Sequence, residues 1–172
     1  MILRTTTGYR IMPWANGLGQ TIELLREDGP DGLRLRLSIA TVTDPGPFSL
    51  FPGIDRVLTV ISGPGFHLTG AGRALHAAPL LPVAFPGDIA IAATGVTAAS
   101  EDFNVMTART QPTPQVWIAA SGTITPKGRL FLLPLAAATA NGQAIAPRDL
   151  IETRAPVTIL SDGPILAVDL PD

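Results

Sequence analysis

A period of two runs through the stretch Leu33-Arg34-Leu35-Arg36-Leu37-Ser38-Ile39-Ala40-Thr41. Such alternation is typical of a β-strand, because successive side chains point to opposite faces. The odd-numbered residues form an apolar face, whereas Arg34, Arg36 and Ser38 share the other. The turn-forming residues Asp44-Pro45-Gly46-Pro47 follow. This stretch predicts β structure.

Short runs rich in Val, Ile, Leu and Thr recur between turns built from 17 Gly and 17 Pro residues. They predict strands at 56–62, 66–69, 81–85, 89–93, 103–107, 116–119, 130–135, 157–160 and 166–170. The Ala-rich segment 135–140 need not be helical, because it is short and lies between Pro134 and Asn141-Gly142. The expected fold class is all-β.

Composition excludes several classes of site and partner. The 172 residues contain no cysteine and carry a net charge of −2, which excludes thiol nucleophiles and cysteine-ligated metals and disfavours a nucleic-acid surface. No apolar run approaches the length of a membrane span, and Met1 to Thr7 has no apolar leader. We therefore expect a cytoplasmic protein with no membrane or nucleic-acid partner.

An internal repeat suggests two related halves. Pro86-Gly87-Asp88-Ile89 resembles Pro147-Arg148-Asp149-Leu150, and the same spacing places Val96-Thr97 on Val157-Thr158. Gly72-Arg73-Ala74-Leu75 also resembles Gly142-Gln143-Ala144-Ile145, at a slightly larger spacing. The matches are short, so chance is the alternative to duplication.

The repeat unit is similar to the cupin (RmlC-like) jelly roll, in which a Pro-Gly-Asp turn precedes a strand and a small barrel holds a ligand. Two such units in one domain, 1–172, indicate a double jelly roll, or bicupin, with halves of about 1–110 and 111–172. The second half is expected to be degraded, because 135–140 carries nothing polar enough for a site.

A metal site is not expected. Metal-binding cupins present a cluster of His and Glu ligands, whereas this chain has only His67 and His76, with no Glu near them. An exposed or hydrogen-bonded His67 is the preferred interpretation. A serine-hydrolase triad is equally unsupported, and we expect neither a cofactor nor catalytic residues.

Two loops carry more polar and aromatic residues than a fold requires. Met12 to Glu23 combines Trp14 with Asn16-Gly17, which suits close approach of the backbone to a ligand; a Gly-rich turn with a packed Trp is the alternative. Gly46 to Arg56 places Phe48 and Phe51 before an Asp-Arg pair, which suits capture of a carboxylate. Here the alternative is an Asp55–Arg56 ion pair with the phenylalanines plugging a barrel end.

A third segment, Glu101 to Met106, is a candidate strand with a polar face. Its alternation places Asp102, Asn104 and Met106 on one face and Phe103 on the other. Asn104 could bind a neighbouring strand or a ligand, and the sequence leaves both open.

Together, these segments resemble the HutD/Ves family, whose pattern reads roughly Pro-Trp-Lys-Asn-Gly-Gly-Gly, Arg-Leu-Ser-Ile-Ala, Gly-Pro-Phe-Ser-x-Phe-Pro-Gly-x-Asp-Arg and Asp-Phe-Asn-x-Met. The matching positions here are Pro13-Trp14, Asn16-Gly17, Gly19, Thr21, Glu23, Arg36-Leu37-Ser38-Ile39-Ala40, the whole run 46–56, Asp102-Phe103-Asn104 and Met106. The resemblance implies a bicupin that binds a histidine-degradation intermediate, such as urocanate, formylglutamate or formiminoglutamate, and so regulates histidine utilisation. No established catalytic activity accompanies it, and Ves-type relatives are linked to environmental stress.

Three positions depart from the family pattern. Ala15 replaces a Lys, Leu18 a Gly and Ile22 an Arg. At about 1.5–3 kcal/mol per charge-assisted hydrogen bond, losing two cations predicts altered or lost binding of a dicarboxylate. Arg36 and Arg56 remain as candidates for one carboxylate.

We therefore predict a non-catalytic site for a small organic acid or amide, formed by Trp14, Asn16, Gly17, Glu23, Arg36, Ser38, Phe48, Phe51, Arg56, Asn104 and Met106. One alternative is a metal-independent enzyme, an isomerase or amide hydrolase, with Glu23 as base, Arg56 as electrostatic clamp and Asn104 as donor. The other is a stress-related interaction protein that uses an exposed sheet edge, for instance to form a homodimer.

Overall fold

The computed structural model describes residues 1–14 and 19–172, and within them the chain is built from short strands without an α-helix. The strands are β1 (Ile2–Arg4), β2 (Arg10–Pro13), β3 (Gln20–Gly29), β4 (Gly32–Val42), β5 (Gly46–Pro47), β6 (Ile54–Ser62), β7 (Phe66–Gly70), β8 (Arg73–Ala77), β9 (Val83–Pro86), β10 (Ala92–Thr94), β11 (Ser100–Ala108), β12 (Gln115–Ala119), β13 (Gly122–Ile124), β14 (Gly128–Pro134), β15 (Ala138–Ala140), β16 (Gln143–Ile145), β17 (Leu150–Thr153), β18 (Val157–Ser161) and β19 (Ile165–Pro171). A 3₁₀ turn covers Thr6–Gly8. The all-β prediction is confirmed.

The chain divides into two compact units. The central unit is Arg10–Gln111, and the terminal unit combines Met1–Tyr9 with Pro112–Asp172. The first nine residues belong to the terminal unit because β1 pairs antiparallel with β17. Tyr9 also donates its hydroxyl to the carbonyl oxygens of Arg4 and Arg148. The predicted halves, about 1–110 and 111–172, instead assign this N-terminal strand to the first half.

Two sheets form the central unit, with strand orders β2-β3-β4-β11-β6-β9 and β5-β10-β7-β8. The alternating stretch 33–41 lies within β4, as predicted. A buried apolar cluster joins Leu58 and Val60 of the larger sheet to Phe66, Leu68 and Ala93 of the smaller one. Arg56 lies on the same strand, β6, as Leu58 and Val60 and alternates with the same period. Its side chain therefore points to the same, core-facing side of the sheet.

The terminal unit also has two sheets, with orders β1-β17-β14-β19-β12 and β13-β18-β15-β16. Its hydrophobic core includes Leu130, Leu132, Ile151, Ile159 and Ala167. Ala138–Ala140 of the Ala-rich segment is a strand, β15, and not a helix.

Eight strands of each unit follow the same order. The sequence β4-β11-β6-β9 corresponds to β12-β19-β14-β17, and β5-β10-β7-β8 corresponds to β13-β18-β15-β16. The β7–β8 and β15–β16 hairpins turn through Ala71-Gly72 and Asn141-Gly142, all four with positive φ. This geometry is the one that two-residue hairpins favour.

The structure pairs the two halves differently from the Pro-Gly-Asp match. Pro86 ends β9, whereas Pro147-Arg148 precedes β17. The positions that correspond are Leu80 and Arg148, which both have positive φ. Their amides donate to carbonyl oxygens of the matching core strands, Leu80 to Val60 on β6 and Arg148 to Pro134 on β14. The spacing that pairs Pro86-Gly87-Asp88 with Pro147-Arg148-Asp149 was therefore wrong, whereas the Gly72 and Gly142 match joins equivalent hairpins.

Most predicted strands are present, but two have shifted bounds. The run predicted at 81–85 begins at Val83, and the one at 89–93 is reduced to Ala92–Thr94. Within the described part of the chain, the only helix is the three-residue 3₁₀ turn, and none has the length and hydropathy of a membrane span.

Candidate functional site: a charged cavity in the central unit

A cavity of about 580 Å³ lies in the central unit. Strands β4, β6 and β11 contribute its floor, because alternate residues of adjacent antiparallel strands share one face. Asn104 lies opposite Ser38 on β4, and Met106 lies between Arg36 and Arg56. The predicted site residues that line the cavity are Trp14, Arg36, Ser38, Phe48, Phe51, Arg56, Asn104 and Met106.

Of the predicted residues that the structure describes, one is not among the lining. It is Glu23, on β3 opposite Ser38, and its carboxylate binds Arg36, which is a lining residue. Asn16 and Gly17 fall outside the described residues. The even-numbered side chains of β4 from Arg36 to Val42 thus line a cavity, while Leu35, Leu37 and Ile39 on the other face are also buried.

Asp102 lines the same cavity, although it was absent from the predicted set. The sequence contains a feature that indicates its place, because the alternation of β11 puts Asp102 on the same face as Asn104 and Met106. A fully buried carboxylate is uncommon unless it is paired.

Arg56, Asn104 and Asp102 form a buried chain of polar groups. Arg56 donates an Nη hydrogen to the Asn104 side-chain oxygen, and Asn104 donates its Nδ2 hydrogen to Oδ1 of Asp102. The Nε of Arg56 and Oδ2 of Asp102 have no partner among the described residues. The asparagine therefore separates the cation from the carboxylate, and both retain unmet hydrogen-bonding capacity.

Three phenyl rings surround the Arg56 guanidinium. Its carbon lies 4.9 Å from the ring centroid of Phe48, 5.1 Å from Phe85 and 5.8 Å from Phe51. Cation–π contacts at these distances stabilise a largely buried cation. The alternative of an Asp55–Arg56 ion pair is wrong, because Asp55 binds Arg109 at 2.8 Å and adjacent strand residues point to opposite faces.

Burial shifts the pKa of both ionisable ends of this chain. It lowers the pKa of Arg56 to about 10, a shift that Asp102 opposes and Arg36 reinforces. Burial raises the pKa of Asp102 to about 7, although Arg56 and the Asn104 hydrogen bond pull it down. At neutral pH the arginine stays charged, whereas the carboxyl is close to its titration point.

Arg36 is the second cation of the cavity, and it has a direct partner. Its Nε donates to a Glu23 carboxylate oxygen at 2.8 Å, and the two side chains are only 13% and 9% exposed. This shielded contact spans β3 and β4. Glu23 is thereby committed to Arg36 and is poorly placed to act as a free base.

Trp14 supplies an aromatic wall whose orientation is fixed. Its indole Nε1 donates to the Thr21 hydroxyl at 2.9 Å, and its backbone amide donates to the Gly19 carbonyl at 2.9 Å. A Cβ on Gly19 would lie 2.9 Å from the Trp14 ring and 2.8 Å from the Thr41 carbonyl oxygen. The glycine therefore allows the indole to pack closely against the backbone.

The two histidines lie away from this cavity. His67 and His76 face each other across β7 and β8, with their rings stacked at a centroid distance of 4.7 Å. In residues 1–14 and 19–172, no group of three or more His, Cys, Asp or Glu side chains has a metal-binding arrangement.

Comparisons with known proteins agree with the fold and with the sequence motifs. The family model described as HutD matches residues 6–145. A 21.2 kDa protein encoded in the hutC 3′ region of Pseudomonas putida is 40% identical over 103 residues, covering 57% of this chain and 53% of that protein. Protein Ves of Citrobacter koseri is 35% identical over 109 residues, covering 62% and 57%. The aligned region thus spans little more than half the length of these curated relatives.

Solved structures extend the likeness over nearly the whole chain. HutD from Pseudomonas fluorescens SBW25, solved in a formate condition, superposes with a TM-score of 0.86 at 26% identity and covers 99% of this chain and 97% of that one. A cupin 2 conserved barrel protein from Leptotrichia buccalis, at 7% identity, has a TM-score of 0.57, covers 87% and 88%, and bears on the fold alone. The fold is therefore cupin-like. Because the HutD model matches most of the chain, this protein belongs to the HutD family.

Proposed function

We propose that the central-unit cavity binds a small organic acid or amide without transforming it. The observation that carries this proposal is Arg56, which is 7% exposed and makes no direct ion pair with any described residue. A buried cation without a counter-ion is costly. A ligand carboxylate would supply the missing charge and hydrogen-bond acceptors.

The proposed biological role is to sense or sequester a histidine-degradation intermediate in the cytoplasm, and so regulate histidine utilisation. Family membership supports the pathway, and Arg56 supports the carboxylate that urocanate, formylglutamate and formiminoglutamate share. The enzyme alternative is weaker, because its candidate base, Glu23, is held by Arg36 at 2.8 Å.

We also propose that the two units are duplicated cupin barrels of which only the central one keeps a site. Strand register supports this. Val60 and Pro134 accept equivalent backbone hydrogen bonds, which aligns Arg56 with Leu130. Asp102 and Asn104, in register with Val60 and Leu58, then correspond to Ile165 and Ala167. These three polar residues therefore align with apolar residues of the terminal unit.

Ligand titration tests the binding proposal. Calorimetry and thermal-shift measurements at pH 7 with urocanate, formylglutamate and formiminoglutamate should give saturable binding of at least one, with a rise in melting temperature. Arg56→Met should weaken that binding at least about tenfold, the equivalent of 1.4 kcal/mol.

Arg34→Met is the matched control, because Arg34 is an exposed arginine on the same strand as Arg36 and binds Gln111. It should leave the affinity unchanged. Absence of binding by all three ligands at millimolar concentration, or full affinity in the folded Arg56→Met variant, would contradict the proposal. Light scattering of the same samples tests the predicted homodimer.

A further inference from the structure

We infer that the cavity accepts one carboxylate only, so that its ligands are monocarboxylates with an apolar or aromatic body and a second carboxylate is rejected. This inference rests on the proposed binding function and narrows the ligand class. It follows from the different states of the two arginines that line the cavity.

Arg36 is already neutralised. Its Nε binds Glu23 at 2.8 Å, and the pair is shielded from water. A ligand carboxylate at Arg36 must either displace Glu23 or approach a cation whose charge is balanced. Displacement would leave Glu23 buried without its partner, an unfavourable state.

Arg56 is the cation that lacks a direct counter-ion. Its contacts are the neutral Asn104 oxygen and three phenyl faces, and its Nε is unpartnered. Asp102 lies one asparagine away and leaves an oxygen unpartnered as well. One anionic group at Arg56 therefore gives this cation the direct counter-ion that it lacks.

Among the lining residues that the structure describes, no other group offers a second carboxylate a positive charge. The remaining charged lining residues are Asp44 and Asp102, both acidic. Residues 15–18 read Ala-Asn-Gly-Leu and contain no ionisable side chain. A second ligand carboxylate would meet acidic groups and a balanced arginine.

The rest of the wall suits an apolar body. Met12, Trp14, Phe48, Phe51 and Met106 line the cavity together with several small apolar residues. Aromatic and thioether side chains pack favourably against flat conjugated groups. The carboxylate is thus expected at Arg56, with the body of the ligand lying towards Trp14 and Phe48.

A matched pair of probes tests this inference, since 2-phenylsuccinate is 3-phenylpropionate with one added carboxylate. Calorimetry at pH 7 on the whole wild-type chain should show that 3-phenylpropionate binds at least about tenfold more tightly. The Glu23→Gln variant keeps a hydrogen-bond acceptor for Arg36 but removes the charge, so the difference should shrink or reverse in it. The wild-type comparison stands even where this variant does not fold.

The outcomes separate this inference from the proposed function. Equal or tighter binding of 2-phenylsuccinate to the wild type overturns the inference and leaves the carboxylate site in place. Binding of formylglutamate, a dicarboxylate, without binding of 3-phenylpropionate also overturns the inference and leaves the carboxylate site in place. Failure of both probes and of all three histidine-degradation intermediates overturns the proposed function and the inference together.

Discussion

At the scale of single residues, the cavity depends on groups whose charges are incompletely matched. Asn104 links Arg56 to Asp102, yet the guanidinium Nε and one carboxylate oxygen have no partner in the described residues. Unmet buried groups of this kind reduce stability and are tolerated where a ligand satisfies them. The same groups make this part of the protein sensitive to pH.

Asp102 should make the unfolding free energy fall as pH rises from 5 to 8. Its pKa in the folded protein is raised to about 7, so the folded state holds a proton that the unfolded state has already released. Stability from this group is greatest at low pH and is lost as pH rises through the folded pKa. In the wild type the unfolding free energy should fall by about 2–4 kcal/mol between pH 5 and pH 8 because of this group, and Asp102→Asn should abolish that fall.

Urea unfolding at pH 5, 6, 7 and 8 gives the slope of the unfolding free energy against pH for the wild type and for Asp102→Asn. The exposed Asp31 provides the control, since Asp31→Asn should retain the wild-type pH dependence. Identical slopes for wild type and a folded Asp102→Asn protein would show that Asp102 is not the group responsible.

At the scale of elements, turns fix how the small sheet meets the large one. Gly65, between β6 and β7, has φ of +83°, and its amide donates to the Ser100 hydroxyl at 3.0 Å. A Cβ there would lie 2.2 Å from the Ala77 carbonyl oxygen. Both the backbone angle and the close approach therefore require glycine.

Gly65→Ala should lower the unfolding free energy by about 3 kcal/mol or more, because it combines strained φ with a backbone clash. Gly72→Ala is the matched control. Its φ of +72° is similar, but no atom lies within 4 Å of the added Cβ, so about 1 kcal/mol is expected. Denaturant unfolding of both variants compares the two costs, and equal losses would exclude the clash as the cause.

Sequence patterns predicted the strands better than their pairing. The alternation of 33–41 located β4, and that of 102–106 put Asp102, Asn104 and Met106 on one face. The alternation could not reveal that this polar face lines a cavity, because a polar face on a strand usually indicates solvent. The ion pair of Arg36 with Glu23 was also beyond prediction, since it depends on the register of β3 against β4.

At the scale of the whole molecule, the likeness of the two units is easier to recognise in strand order than in sequence. Pro86-Gly87-Asp88 and Pro147-Arg148-Asp149 look alike but lie at opposite ends of equivalent strands, the first at the end of β9 and the second before β17. The equivalent turns, at Leu80 and Arg148, share a left-handed backbone and an Ala-Pro pair before it. That dipeptide was too short a signal to outweigh the longer, misleading match.

The terminal unit also unites the two ends of the chain. Glu152 on β17 accepts hydrogen bonds from Arg4 on β1 and from Arg129 on β14, the latter at 2.7 Å. The carboxylate is 12% exposed. Burial alone would raise the pKa of Glu152, but the hydrogen bonds and charges of Arg129 and Arg4 outweigh it and hold that pKa below its usual value.

Glu152→Gln should therefore destabilise the protein by about 2 kcal/mol at pH 7, because one buried anion that serves two arginines is lost. A depressed pKa contributes stability above the unfolded value, and that contribution disappears as pH falls through the folded pKa. The difference from wild type should consequently shrink towards zero below about pH 4, the ordinary range of a glutamate.

Urea unfolding from pH 3 to 8, with hydrogen exchange of the Ile2–Arg4 amides, follows both effects. Asp172→Asn is the control, because the Arg154–Asp172 pair of the same unit is 61% and 69% exposed. It should cost less than about 0.5 kcal/mol, as exposed ion pairs do. A Glu152→Gln loss no larger than that of Asp172→Asn, or one that persists unchanged at pH 3, would mean that packing of β1 on β17, and not the shared carboxylate, holds the N-terminal strand in the terminal unit.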